Sequence, residues 1–371
     1  MRIAIFHDYL NQLGGAERVL EALFEIFPDA DLYTLFYDKD KTFRIFENKV
    51  KKTSFLDCRL VRHHHRFFIP LMPLAAETIN IDKNYELIIS SSAGYAKGFN
   101  YPNNSYVYHI CYCHSPLRYA WEIEYLKEIP FVPYLIKKFL GQPFAKLLRK
   151  WDEKASQKVN LFIANSYFIA QKIKSYYKRQ AFVVYPPVDL KKFYYESNLK
   201  NSKERDYFLM VGRLLHYKRF DLGVLAFNRL RLPLKIVGRG PEIKKLKKLA
   251  TSKQIEFISS ATDEDLRKIY NNAKALIFPQ IEDFGLVAAE AQACGLPVIA
   301  FNGGGAKEIV ENRKTGLFFE QQTVEAIIEA VKNFERLNFD REYIASQAKR
   351  FSKEEFKRKI VDVINKSGFK V

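Results

Sequence analysis

The chain alternates short apolar runs with amphipathic stretches of helical period from end to end, and this alternation restricts its fold more than any other feature. A parallel pair of strands needs a long crossover, and the crossover buries its apolar face as a helix against the sheet. The pattern therefore predicts parallel sheets covered by helices. In the first block, residues 3–6 are predicted as a strand and residues 16–27 as an amphipathic helix, with further strands over 32–36, 87–90, 106–110, 161–164 and 182–185. Pro186, Pro187, Val188 and Asp189 then break regular structure, and residues 196–206 are polar and charged. A second block follows, with strands predicted over 207–211, 234–237, 255–258, 275–278 and 298–300 and helices near 220–230, from Asp263 and from Gly285. Each block reads as a doubly wound α/β unit. The expected division is a first domain over 1–190, a linker over 191–206, a second domain over 207–350 and a last helix within 351–371.

Length agrees with two units, since 371 residues exceed one typical domain. A hydrophobic share of 48% and a charged share of 27% exclude a disordered, collagen-like or low-complexity chain. No run approaches the roughly 18 apolar residues of a membrane span. Residues 2–6 run directly into His7 and Asp8 without a secretory apolar region, so a cytoplasmic location is expected. Cys58, Cys111, Cys113 and Cys294 make no disulfide framework. Cys111 and Cys113 lack the second pair of a zinc knuckle and read as thiols at a strand end.

The formal charge of +18 implies an anionic partner, and its distribution is uneven. Residues 48–74 carry Lys49, Lys51, Lys52, Arg59, Arg62 and Arg66 against Asp57 alone, net +5. Residues 125–150 carry Lys127, Lys137, Lys138, Lys146, Arg149 and Lys150 against Glu128, also net +5. Both windows interleave cations with bulky apolar residues, which suits an anionic lipid surface; a solvated basic face over an ordinary core helix is the alternative. The same charge could serve nucleic acid, but neither window matches a helix-turn-helix, zinc-finger or RNA-binding motif, so nucleic acid is not expected as a partner.

In doubly wound sheets ligands bind beyond the carboxyl ends of strands, which directs attention to the loops there. Gly14 and Gly15 precede the first helix, a place where backbone can approach an anion; a plain turn is the commoner explanation of such a pair. Arg213 and Lys218 follow a strand and precede a helix, aiming two cations and a positive helix end at one point, as a departing diphosphate requires. Exposed cations before a helix are also common. The segment EDFGLVAAE places Glu282 in a loop and Glu290 in the second turn of a helix opened by Gly285. Carboxylates accept hydrogen bonds from vicinal diols, so one can hold a hexose and the other a ribose; a loop acid and an unrelated helix acid is the competing explanation.

His63, His64 and His65 read as a solvated basic loop, because successive side chains seldom point at one ion. Two D-x-D triplets read as structural. Asp29 and Asp31 lie between a helix end and a strand, and Thr262 with Asp265 forms a predicted capping box around Asp263. No metal site is expected.

Taken together, the Gly-Gly loop, "YPPVD", "VGRLLHYKRFD", "GRGPE" and "EDFGLVAAEAQACGLPVIAFNGGG" resemble the GT-B glycosyltransferases of glycosyltransferase family 4 over essentially the whole chain. "CHSPLRYAW" and "EDFG" look closest to bacterial mannosyltransferases that build surface polysaccharide from GDP-mannose. The resemblance implies two Rossmann-like domains facing across a cleft, the first binding acceptor and the second the nucleotide-sugar donor, with the last helix crossing back to the first domain. It implies that Arg213 and Lys218 bind the donor diphosphate. Glu282, Phe284, Gly285, Leu286 and Val287 bind donor sugar and phosphates, and Glu290 holds the ribose. Gly15 then lies near the diphosphate, His114 beside the reactive sugar, and Asp8 is an acceptor contact. Without the resemblance, His114 reads as a loop histidine packed beside Tyr112 and Tyr119.

The family retains anomeric configuration and is generally metal-independent, so no cofactor is expected beyond the nucleotide-sugar co-substrate. The acceptor implied is lipid-linked or polysaccharide, at the inner face of the cell membrane. A UDP-sugar is the alternative donor, with base choice placed around Gly238 to Glu242 and residues 258–261. A silent sugar-nucleotide sensor is the alternative without catalysis. Hinge closure at Pro186 and Pro187 would accompany donor binding.

Overall fold

The computed structural model describes residues 1–79, 81, 84–101, 107–122, 134–197 and 205–370, with 134–140 described by backbone alone. Contacts divide the chain into two units, one of Met1–Tyr185 with Lys359–Val371 and one of Pro186–Arg358. The last helix, Lys353–Lys366, spans that division. From its second half onward it packs with the first unit: Phe369 meets the Tyr108 ring at 5.4 Å and Lys359 lies over Tyr185.

The first unit holds strands β1 (Ile3–His7), β2 (Asp31–Thr34), β3 (Val50–Thr53), β4 (Leu87–Ser92), β5 (Tyr108–Cys113), β6 (Leu161–Ala164) and β7 (Ala181–Val183). They form one parallel sheet in the order β3-β2-β1-β4-β5-β6-β7. β1 and β4 are buried along their whole length, as expected of central strands covered on both faces. β3 went unanticipated because its sequence, VKKT, is not apolar. Its two lysines are exposed on an edge strand, where charge discourages further pairing.

The second unit holds β8 (Tyr207–Val211), β9 (Leu234–Val237), β10 (Ile255–Ile258), β11 (Ala273–Phe278), β12 (Val298–Phe301) and β13 (Gly316–Phe319), all parallel, in the order β10-β9-β8-β11-β12-β13. β13 also went unanticipated, being four residues led by a glycine. Phe208, Met210, Phe227, Ile236, Ile277 and Ile299 anchor its core.

Both sheets reverse their direction of growth once. The chain lays strands to one side of β1 and then returns to β4 on the other; in the second unit it does the same at β8 and β11. Those two junctions are the topological switch points, where crossovers leave on opposite faces and open a crevice at the carboxyl ends of the strands.

Residues 59–71 are helical rather than a loop: a helix at Arg59–His64 runs into a 3-10 helix at His65–Leu71. Its histidines take separate partners. His63 Nδ1 pairs with Arg59 O at 2.8 Å, while His65 meets Asn11 at 3.0 Å and packs against Tyr9 and Phe36. Ile69 and Met72 anchor the segment in the core, leaving Leu60, Phe67, Leu71 and Leu74 exposed. In the second basic window, residues 125–133 lie outside the described residues, as do the side chains of 134–140, so Lys127, Lys137 and Lys138 are not placed. Thr262 and Asp265 form the reciprocal cap that the sequence predicts.

Candidate active site

The second unit brings its predicted residues to the β8–β11 junction. β8 ends at Val211, and the chain passes through Gly212 and Arg213 into the 3-10 helix His216–Lys218. Lys218 folds back over the strand end: a Cβ placed on Gly212 would stand 3.5 Å from its Nζ. Across the junction, β11 ends at Phe278 and its following loop delivers Glu282, whose Oε1 lies 2.7 Å from Lys218 Nζ. The two side chains are 11% and 17% exposed, so the pair is largely withdrawn from water and still reachable from it.

The loop after β8 is fastened to the loop after β9. Gly212 N–H donates to Val237 O at 3.0 Å and Leu214 N–H to Arg239 O at 2.8 Å. Gly238, at φ +150°, stands so close to Gly212 O that any Cβ there would collide with it. Arg213 is exposed in this double loop, and Arg239 Nε donates to Ser259 O at 2.7 Å.

Downstream of Glu282, Phe284 is buried edge-on to Phe351, and Gly285 caps the helix Leu286–Ala293. Leu286 and Val287 supply amides of the first turn, which by helix geometry lack an intrahelical acceptor and carry the positive end of the dipole. Glu290 lies in the second turn, 4% exposed.

Sequence reasoning gave no role to the residues that hold the Glu282 loop in place. Gly305 N–H donates to Glu282 O at 2.8 Å, and a Cβ on Gly305 would collide with Phe284 backbone. Gln322 Nε2 donates to Pro279 O at 2.6 Å from the other side. The three consecutive glycines after β12 were the available signal, since close backbone approach is what such a run permits.

In the first unit, Asp8, Gly15 and His114 all lie at the carboxyl end of the sheet. Gly15 is exposed as the first residue of the helix Gly15–Ile26. Asp8 is 5% exposed and accepts from the N–H groups of Ala93, Tyr95 and Ala96 at 2.6, 2.8 and 2.5 Å. The structure thus gives this carboxylate a loop-holding role. His114 follows β5, half-buried, its Nε2 2.8 Å from Ser91 Oγ and its ring edge-on to Tyr112 at 5.1 Å.

Cys111 and Cys113 are fully buried on β5, and burial first, then the neighbouring thiol, raises the Cys113 pKa far above its ordinary value. Asp31, of the first D-x-D triplet, pairs with Lys51 at 3.0 Å and with Tyr85. Among the described residues no group of three or more His, Cys, Asp or Glu side chains could hold a metal ion, and no helix is long and apolar enough to cross a membrane.

Residues 192–351 match the family "Glycosyl transferases group 1". That stretch contains Arg213, Lys218, Glu282 and Glu290. An uncharacterized glycosyltransferase of Haemophilus influenzae is 37% identical over 134 residues, 33% of this chain and 37% of that protein. The GDP-mannose-dependent alpha-(1-6)-phosphatidylinositol monomannoside mannosyltransferase of Mycobacterium tuberculosis is 32% identical over 145 residues, 34% of this chain and 38% of that protein. The chain thus spans well under half the length of these curated relatives in the matched region. Over the whole chain, the structure of Anabaena HepE in complex with UDP superposes with a TM-score of 0.72 at 17% identity, covering 99% of this chain and 100% of that one. The architecture of two parallel sheets, seven and six strands, is that of the GT-B glycosyltransferases.

Proposed function

We propose that the chain is a retaining glycosyltransferase that moves a hexose, mannose from GDP-mannose, to a lipid-linked or polysaccharide acceptor in cell-surface glycan synthesis. The observation that carries this reading is the meeting of Lys218 and Glu282, with Arg213 nearby in sequence, at the switch point of the sheet within the matched region. Breaking a sugar–diphosphate bond puts negative charge on the leaving oxygen. Lys218 is a cation already held over a strand end, with Arg213 in the same loop, and together they stabilise that charge. Glu282 accepts hydrogen bonds from the sugar hydroxyls and Glu290 from the ribose diol. The amides of Leu286 and Val287 face the phosphates.

In the transfer itself the acceptor hydroxyl oxygen forms a bond to the anomeric carbon on the face that the diphosphate leaves. The bond from that carbon to the phosphate oxygen breaks, and the hydroxyl proton passes to that oxygen. The leaving group serves as the base, so no second carboxylate of glycosidase type is needed. Of the first unit's residues, His114 is the one this reading assigns to a sugar hydroxyl. The protein's own cations carry out the electrostatic work, and the reaction proceeds without a metal.

Mannose and GDP are favoured by the mycobacterial relative, a GDP-mannose-dependent mannosyltransferase; the UDP complex of the Anabaena neighbour supports a UDP-sugar as the second reading. Titration with a panel of nucleotide sugars separates them. In this reading the protein sits peripherally on an anionic inner membrane face, and the exposed apolar and basic residues of 59–74 support that location.

A further inference from the structure

The crevice at the β8–β11 junction has two flanks, and they differ in what they leave unspent. On the β12 flank the loop groups are committed to one another. Gly305 N–H donates to Glu282 O, Asn302 N–H to Phe319 O at 2.9 Å, and Asn302 Nδ2 to both oxygens of Glu320 at 2.9 and 3.0 Å. On the β9 flank stands Arg239, exposed, in the loop that Leu214 N–H ties to the loop after β8. Its Nε donates to Ser259 O at 2.7 Å, in the loop after β10. Among the described residues that is the side chain's one hydrogen bond, and no carboxylate pairs with it.

The sheet order β10-β9-β8-β11 sets these loops in a row. Neighbouring strands lie about 4.8 Å apart, so the end of β10 stands roughly 10 Å from that of β8. A nucleoside has about that reach. A diphosphate held at Lys218 and at the start of the helix Leu286–Ala293 can therefore lay its base over the ends of β9 and β10, the flank with donors to spare.

A guanidinium is a planar fork. With Nε restrained on Ser259 O, the N–H groups of Nη1 and Nη2 remain to donate side by side. The base that matches must offer two adjacent acceptors. Guanine does so with O6 and N7, whereas adenine sets an amino donor beside N7 and uracil sets an N–H donor beside O4.

We propose that Arg239 is a specificity-determining residue for the nucleobase, its Nη1 and Nη2 donating to O6 and N7 of guanine. The inference rests on the transferase reading for the presence of a nucleotide, and it deepens that reading by naming how GDP is told from UDP and ADP.

The test is calorimetric titration of the full chain with GDP, IDP, 7-deaza-GDP, ADP and UDP, repeated on Arg239→Ala. IDP keeps O6 and N7 and lacks only the 2-amino group; 7-deaza-GDP lacks only N7. The expected result is that IDP binds like GDP and 7-deaza-GDP binds about tenfold more weakly, the scale of one lost charge-assisted hydrogen bond. In Arg239→Ala the difference between GDP and 7-deaza-GDP disappears and GDP binds at least about tenfold more weakly. Its affinity for UDP is unchanged, which shows the site intact. Three results overturn the proposal and leave GDP as the donor nucleotide: a 7-deaza-GDP penalty that survives in Arg239→Ala, an equal loss of GDP and UDP in that variant, or ADP bound by the wild type as tightly as GDP. Preference of the wild type for UDP overturns it together with the GDP-mannose reading, and binding of no nucleotide removes the transferase reading beneath both.

Discussion

Lys218 Nζ and Glu282 Oε1 lie 2.7 Å apart, joining the loops that follow β8 and β11 at the switch point of the second sheet. Each residue arrives from a different side of the chain reversal, so the contact exists only because the sheet grows outward in both directions from this junction. The ammonium is held over the end of β8, and the carboxylate is held by a loop that Gly305 and Gln322 brace.

That bracing makes Gly305 a test of loop position. Its backbone is right-handed, so alanine adds no dihedral strain, only a methyl driven into the Phe284 backbone. Gly305→Ala is expected to weaken nucleotide-sugar binding at least about tenfold, equivalent to about 1.4 kcal/mol. Trp121 and Trp151, both in the first unit, should keep their emission. Unchanged affinity by calorimetry would show that the loop needs no such support.

Lys97 and Asp152 form a buried pair at 2.6 Å, both fully withdrawn from water. Burial alone lowers the lysine pKa, and the carboxylate outweighs it, raising the value above the ordinary one. Asp152 also accepts from Trp121 Nε1 and Tyr177 OH. Lys97→Met leaves that carboxylate without its ammonium and should destabilise the first unit by about 3–5 kcal/mol in urea unfolding followed by tryptophan fluorescence. Adding Asp152→Asn should recover much of the loss; a double variant no better than the single one would contradict this.

His109 is buried, and burial, with the charge of Lys158 second, drives its pKa down from 6.5 to about 3. Between those values the unfolded chain binds a proton that the folded chain does not. Stability therefore rises with pH through this window and is lost as pH falls, with a slope of up to about 1.4 kcal/mol per pH unit. His109→Gln should flatten that acid limb by about one proton. An unaltered slope in urea unfolding from pH 4 to 6, roughly the middle of the window, would show that His109 is not its source.

Much of this architecture is legible in the sequence because central parallel strands must be apolar throughout: residues 3–6, 207–211 and 275–278 announce themselves. β3 does not, since an edge strand needs no apolar face and its lysines serve solvent. The chemistry divides the same way. Lys218 and Glu282 could be chosen from loop position and charge, although 64 residues separate them. The contacts of Ser91 with His7 and His114 could not, because those pairs lie 84 and 23 residues apart and only strand register aligns them. For Asp8 the resemblance implies an acceptor contact, and the fold surrounds its carboxylate with backbone amides. Its partners, the amides of Ala93, Tyr95 and Ala96, follow another strand, and no local pattern shows them.

Leu60, Phe67, Leu71 and Leu74 are exposed beside Arg59 and Arg66. Co-sedimentation with anionic vesicles, absent with neutral ones and weakened by salt, is expected, each engaged cation contributing about 1 kcal/mol. Replacing Leu71 and Leu74 by serine should reduce binding at constant charge. Equal binding to neutral and anionic vesicles would exclude this surface as a charge-dependent membrane contact.

The most direct test of the central claim is a calorimetric titration of the protein in metal-free buffer with GDP-mannose and with UDP-, ADP- and dTDP-sugars, repeated on Lys218→Ala and Glu290→Ala. The account predicts selective binding of GDP-mannose, weakened by about ten- to hundredfold in each variant, the scale of a lost charge-assisted hydrogen bond. Absence of binding to every nucleotide sugar, or binding indifferent to both substitutions, would contradict it.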